Sequence, residues 1–155
     1  LNRGDIAAFF VWEPHIYNAS RLLGDRFVVF GGQRFYTETF NIATTKDYAE
    51  RNAPVTRAFL EALIDAERFI VNNPTEAITL VSDRIGMDQA VLQQIWSDYN
   101  IRVLLDPFLL KYMQAEADWA INSGKVKAGS KAPDLSMMIY PEPLRQIKPE
   151  AVKIR

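Results

Sequence analysis

The segment Trp12-Glu13-Pro14-His15 holds the residue types best suited to chemistry in this sequence. It follows a strand-like apolar run and precedes a helical pattern, and open α/β sheets bind ligands where a strand ends and the next helix points its N-terminus outward. An aromatic ring, a carboxylate and free backbone N–H groups would meet there. The alternative is purely structural, with Trp12 as a core aromatic, Glu13 complementing the helix dipole and His15 at the surface.

Glu13 limits what such a site can bind. A carboxylate in the first turn of a helix competes with a sulfonate or nitrate for the same backbone N–H groups. The segment is therefore better suited to a ligand that carries an amine as well as an acidic group.

Other chemistries lack their residues or motifs. The sequence has no cysteine and a single histidine, which excludes disulfides, thiolate-bound metals, thiol nucleophiles and multi-histidine metal sites. No phosphate-binding loop, dinucleotide fingerprint, metalloprotease helix or nucleophile elbow occurs. Carboxylate pairs such as Asp47 with Glu50, or Glu116 with Asp118, match solvated helix faces better than an acid–base pair. We therefore expect no cofactor, no metal and no catalytic residues.

The elements around the segment predict a βαβ unit. Residues 6–12 and 26–30 are apolar almost throughout and have the length of strands that are covered on both faces. Between them, Pro14 begins a helical pattern that stops at Gly24. Residues 33–45 favour a further extended stretch.

Capping residues and prolines mark four helix starts in the rest of the chain. The marks are Asn52 with Pro54, Asn73 with Pro74, Asp88, and Asp106 with Pro107. The proline-rich tail after residue 140 is expected at the surface. The pair Gly31-Gly32 is either a hinge or a plain turn.

Length and charge narrow the class of protein. The 155 residues allow one ordinary domain or two small lobes. Eighteen basic and nineteen acidic residues give a net charge of −1, so no overall field favours a phosphate backbone, and we expect no nucleic-acid partner. The chain begins at Leu1 with no initiator methionine and no apolar leader, which leads us to expect a piece of a longer protein.

Several motifs, taken in order along the chain, resemble a known family. They are Gly4-Asp5-Ile6-Ala7-Ala8 leading to Trp12-Glu13-Pro14, the helix from Val55 to Val71, Asn73-Pro74-Thr75-Glu76-Ala77, and Gln114-Ala115-Glu116-Ala117-Asp118-Trp119. In this order they are similar to the C-terminal half of periplasmic solute-binding proteins of the nitrate, sulfonate and taurine ABC-transporter class. The resemblance implies a helix-rich α/β fold of the periplasmic-binding-protein type II. Residues 1–35 would finish its second lobe as a βαβ remnant, and residues 36–155 would return to the first lobe, mainly as helices.

The same resemblance implies a function and a site. Trp12 and Glu13 would lie at the cleft as ligand neighbours, with Tyr36 as a third near the crossing between the lobes. The protein would be the substrate-binding component of an ABC importer, and its lobes would close on a small organic or inorganic anion such as a sulfonate, taurine or nitrate. It would work in the periplasm or another extracytoplasmic space, in contact with a membrane permease, and it would not be an enzyme.

Two alternatives stay open. Relatives of that class bind or synthesise the pyrimidine precursor of thiamine, although the synthetic enzymes rely on histidines and this chain has one. The other is a helical interaction module without a ligand. In either case, apolar faces that a missing half would cover lead us to expect that this chain self-associates.

Overall fold

The computed structural model describes residues 1–30, 38–127 and 129–154, and 61% of these residues are helical. None of them belongs to a strand or a sheet, so the predicted α/β fold of the periplasmic-binding-protein type II is wrong for the described chain. The nearest approach to strand pairing is an isolated parallel bridge between Leu105 and Val152. It is formed by hydrogen bonds from the Leu105 N–H to the Ala151 carbonyl, 2.8 Å, and from the Lys153 N–H to the Leu105 carbonyl, 2.9 Å.

The two predicted strands of the βαβ unit are irregular chain. Residues 6–12 and 27–30 have no regular secondary structure, and Arg26 ends a short 3-10 turn. Most of their large side chains lie in solvent, with Phe10 80% and Phe30 89% exposed, whereas Val11 and Phe27 are half-buried. Apolar composition favours burial, but a strand also needs a neighbouring strand to receive its backbone hydrogen bonds, and no described segment takes that place.

Seven α-helices occur in the described residues. They are α1 (His15–Leu23), α2 (Lys46–Arg51), α3 (Ala53–Asn72), α4 (Pro74–Ile85), α5 (Gln89–Ile95), α6 (Pro107–Asn122) and α7 (Glu142–Ile147). Short 3-10 segments lie at Gly24–Arg26, Trp96–Asp98, Leu135–Met138 and Pro149–Ala151. The four helix starts predicted from caps and prolines are confirmed as those of α3 to α6, and the predicted helix after Pro14 is confirmed as α1.

Local capping explains why these boundaries were predictable. The Asp88 Oδ1 accepts the N–H groups of Ala90 at 2.8 Å and Val91 at 3.3 Å at the start of α5. Asp106 accepts the Phe108 N–H at 3.0 Å at the start of α6. Each aspartate supplies an acceptor to N–H groups that the helix itself cannot satisfy.

The chain divides into two compact units. Unit 1 comprises Leu1–Glu38 and Phe69–Ile101, and unit 2 comprises Thr39–Arg68 and Arg102–Arg155. The domain boundary predicted between residues 35 and 36 lies outside the described residues. Each unit has its own small hydrophobic core.

The core of unit 1 joins α4 and α5. Its buried residues are Ile78, Leu92 and Ile95, and the partly buried Tyr17, Val81, Met87 and Trp96 pack against them. Tyr17 is the residue through which α1 meets this core. No residue of α1 is fully buried, and Leu22, which the helical spacing predicts on the packed face, is 63% exposed.

The core of unit 2 depends on the end of the chain. Ile64 of α3 is buried with Leu144 of α7 and with Ala151. The prediction of a surface tail is therefore wrong, since Leu144 is 4%, Ala151 5% and Ile154 8% exposed. The prolines in this segment lie at the starts of a helix and a 3-10 turn. They do not keep the segment at the surface, because the apolar residues between them still gain free energy from burial.

A half-buried ion pair ties the same tail to α3. Lys148 Nζ lies 2.8 and 2.7 Å from the two carboxylate oxygens of Glu67, and both side chains are about one-fifth exposed, at 20% and 18%. Glu67 also accepts the Val103 N–H at 3.0 Å, and Lys148 donates to the Val103 carbonyl at 3.3 Å. Burial alone would raise the pKa of Glu67, but these hydrogen bonds and the charges of Lys148 and Arg102 hold it below its ordinary value.

Candidate functional site

The Glu13 carboxylate caps the first turn of α1. Its Oε2 accepts a hydrogen bond from the backbone N–H of Tyr17 at 3.0 Å. This N–H group, which could otherwise donate to a bound anion, is therefore already paired. The contact that would let Glu13 compete with an anion is therefore present, and the competition itself stays a prediction. The structural alternative for this residue, a carboxylate that complements the helix dipole, describes the same contact.

Trp12 and His15 both lie at the surface. Trp12 is 55% exposed, so the alternative that makes it a core aromatic is wrong. The two rings meet edge to face, with centroids 6.3 Å apart. His15 is exposed, as its structural alternative predicts. Trp12 is therefore free to contact a ligand or another surface.

Tyr99, which is distant in the sequence, contacts the backbone of unit 1 at Glu13. Its hydroxyl donates to the Glu13 carbonyl at 3.4 Å, a contact between residues 86 positions apart. Burial raises the pKa of Tyr99, and the negative charges of Glu13, Asp98 and Glu38 raise it further. Sequence reasoning placed Tyr99 on the packing face of a helix, but α5 ends at Ile95.

A groove of about 370 Å³ begins at Pro14 and follows one side of α1. We call it the α1 groove. One wall comes from α1 and the other from the turn between α4 and α5 together with the start of α5. Its lining residues are Pro14, Tyr17, Asn18, Arg21, Ile85, Gly86, Met87, Asp88 and Val91.

Local geometry explains how the sequence builds these walls. Residues 14, 17, 18 and 21 share one face of a helix because they are three, four and seven positions apart. The opposite wall turns at Gly86, which ends α4 with φ 66°, in the left-handed region that favours glycine. Ser82 fixes this turn by donating from its Oγ to the Met87 carbonyl at 2.5 Å.

Two charged side chains line the α1 groove, and their surroundings differ. The Arg21 guanidinium carbon lies 5.8 Å from the centre of the Tyr17 ring, within the range of a cation–π contact. Asp88 is occupied as the cap of α5. One wall of the groove thus presents the exposed guanidinium of Arg21, which packs on the Tyr17 ring. The other wall presents the Asp88 carboxylate, which already accepts hydrogen bonds from the first turn of α5.

Sequence reasoning identified the Trp12-Glu13 segment but missed the groove beside it. The signal available was the polar pair Asn18 and Arg21 on the same helix face as Tyr17. The third predicted ligand neighbour, Tyr36, and the proposed hinge at Gly31-Gly32 lie outside the described residues.

The described ranges hold no group of three or more His, Asp or Glu side chains arranged to bind a metal ion. Within those ranges, no helix has both the length and the apolar character required to cross a membrane.

Comparisons with family models, curated proteins and solved structures gave no significant match to this chain. The α1 groove and the motifs around Trp12 are therefore the basis for any function assigned here.

Proposed function

We propose that this protein is the substrate-binding component of an ABC importer and that it binds a small anion in the α1 groove. The observation that carries the proposal is the groove itself, which is open to solvent, has a volume of about 370 Å³, begins at Pro14 and has Arg21 in its wall. Cavities of roughly 300–1,000 Å³ are typical of sites for small organic molecules.

The motif order supports the choice of transport. The groove starts directly after Trp12-Glu13, the segment through which the sequence resembles solute-binding proteins of the nitrate, sulfonate and taurine class. A binding component makes and breaks no covalent bond, and it needs a ligand site and a membrane permease as its partner. In this proposal the anion is captured outside the cytoplasm and passed to that permease.

Thermal unfolding against a panel of anions tests ligand binding. A ligand that binds only the folded protein stabilises it by about 2.7 kcal/mol at 100 times its Kd, which raises the Tm of a chain of this size by about 5–10 °C. The panel contains taurine, alkanesulfonates, nitrate and a pyrimidine precursor of thiamine, with sodium chloride at equal ionic strength as the control.

The possible outcomes separate the functional classes. A stabilisation confined to one group of anions supports the proposal. A response to the pyrimidine precursor alone favours the thiamine-pathway alternative, and no response to any compound contradicts binding.

Transport itself needs a cellular measurement. Deleting the gene should abolish uptake of the radiolabelled anion found in the panel, and a plasmid copy should restore it. Unchanged uptake in the deletion strain would contradict the role of this protein in an importer, even if the purified protein binds the anion.

A further inference from the structure

We propose that Arg21 is the residue that recognises the anionic group of the ligand, and that this ligand carries a single negative charge. The inference rests on the proposed function, because it names the recognition residue and the ligand class of the same groove. It moves recognition from the Trp12-Glu13 segment to the last turn of α1.

The start of α1 is a poor anion site because its donor is already used. The Glu13 Oε2 accepts the Tyr17 N–H at 3.0 Å, and an entering anion would have to displace it and then lie against a carboxylate. Arg21 carries the one positive charge among the described lining residues of the groove. An anion in the α1 groove therefore has its favourable contact at Arg21.

The Tyr17 ring restricts the position of the Arg21 guanidinium. The Tyr17 ring packs against the core of Ile78, Leu92 and Ile95, so its position is set by the interior of unit 1. Because the guanidinium lies over this ring at 5.8 Å, it loses less freedom on binding than an unsupported surface arginine. The planar fork of N–H donors matches two oxygens of a carboxylate or sulfonate.

The charges in the walls indicate a single negative charge on the ligand. Asp88 faces the same cavity as Arg21, so the two lining charges cancel. A dianion would meet one cation and one carboxylate, and its second charge would find no compensation among the lining residues. A monoanion pairs with Arg21 and brings no second negative charge that would lack a partner.

Isothermal titration with 1-butanesulfonate, 1-hexanesulfonate and the dianion 1,4-butanedisulfonate tests both parts of the inference. For the wild-type protein we expect the two monosulfonates to bind with similar affinity and the disulfonate to bind more weakly, because its second charge has no cationic partner among the lining residues. Arg21→Gln should weaken butanesulfonate binding by at least about tenfold, because it removes a charge-assisted pair. Arg21→Lys should recover only part of the loss, because lysine lacks the planar fork.

Arg26→Gln is the matched control, since Arg26 is an exposed arginine of the same unit that does not line the groove. Its affinity should stay within twofold of the wild type, a margin that is about 0.4 kcal/mol. Amide shifts in ¹⁵N spectra should map wild-type binding to α1 and to residues 86–88. Thermal unfolding of each variant separates lost binding from lost folding.

The results distinguish failure of this inference from failure of the proposed function. If the wild type binds the sulfonates and Arg21→Gln binds them equally well, the role of Arg21 is overturned while anion binding stands. Binding of 1,4-butanedisulfonate more tightly than butanesulfonate overturns the single negative charge. If the wild type binds none of the three anions, the proposed function and this inference both fall.

Discussion

Units 1 and 2 have cores of similar size but treat the chain around those cores differently. In unit 2, the end of the chain returns to α3 through Leu144, Ala151 and the Glu67–Lys148 pair. In unit 1, residues 6–12 and 27–30 have no regular secondary structure and expose most of their aromatic rings, as the irregular chain at Phe40 does in unit 2. Both units expose large apolar side chains, and they differ in that the end of the chain packs on the core only in unit 2.

The groove illustrates the same contrast at the level of side chains. The main ion pair of unit 2 joins two half-buried groups at 2.7 Å. In the α1 groove, Arg21 is exposed and rests on Tyr17. A cation already held by a carboxylate contributes to the fold, and a cation on an aromatic ring still has its donors available to a ligand.

The largest expected effect comes from truncating one core leucine in each unit. Leu92→Ala and Leu144→Ala should each lower the free energy of unfolding by about 2–5 kcal/mol, because each leaves a cavity. Urea unfolding measures the loss. Leu22→Ala, at a leucine that is 63% exposed, should change stability by less than about 0.5 kcal/mol. A loss below about 1 kcal/mol for Leu144→Ala would contradict the buried tail.

The next effect is expected at the ion pair of unit 2. Glu67→Gln should cost about 1–3 kcal/mol, because Lys148 then loses its charged partner in a half-buried site. The control Glu61→Gln removes the exposed pair with Arg57, where the Glu61 side chain is 48% exposed, and should cost less than about 0.5 kcal/mol. Equal losses in both variants would remove the distinction between the two pairs.

The same pair predicts a pH dependence with a definite sign. The pKa of Glu67 in the folded protein lies below its ordinary value of 4.5. Its stabilising contribution is therefore complete above that ordinary value and is lost as the pH falls through the lower, folded-state pKa. Unfolding measured from pH 7 to pH 3 should show the wild type and Glu67→Gln converging at the acid end, and a constant gap would contradict this.

A smaller effect is expected at the contact between the Tyr99 hydroxyl and the backbone at Glu13. Tyr99→Phe removes the hydroxyl that donates to the Glu13 carbonyl at 3.4 Å, and should cost about 0.5–1 kcal/mol in unfolding measurements. Tyr140→Phe, at a tyrosine of unit 2 that is 48% exposed, is the matched control. A larger cost at Tyr140 than at Tyr99 would show that the Tyr99 contact does not anchor unit 1.

The smallest change is expected in the wall of the groove. Asp88→Asn keeps a good helix cap and removes one negative charge from the lining, so stability should hold within a few tenths of a kcal/mol while butanesulfonate binding tightens about two- to threefold. Asp106→Asn, at the cap of α6, should leave that affinity unchanged. Weaker binding in Asp88→Asn would indicate that the carboxylate contacts the ligand.

Much of the local structure was predictable from the sequence. The starts of α3 to α6 follow from Asp, Asn and Pro at the positions where the structure has them, and α1 begins after Pro14 as predicted. Each signal is local, because a cap acts on N–H groups two or three residues away. The contact of Glu13 with the first turn of α1 was predictable for the same reason.

The amino-acid sequence by itself determined the starts of α1 and of α3 to α6, the cap at Glu13 and the absence of cysteine chemistry. Tertiary structure alone decided that residues 6–12 and 27–30 are not strands, that the proline-rich tail is buried, that Lys148 pairs with Glu67, and that Arg21 shares a groove with Asp88. The physical reason is the range of the interactions. A cap is completed within one turn of helix, whereas a strand, an ion pair or a groove requires a partner that folding brings from a distant part of the chain.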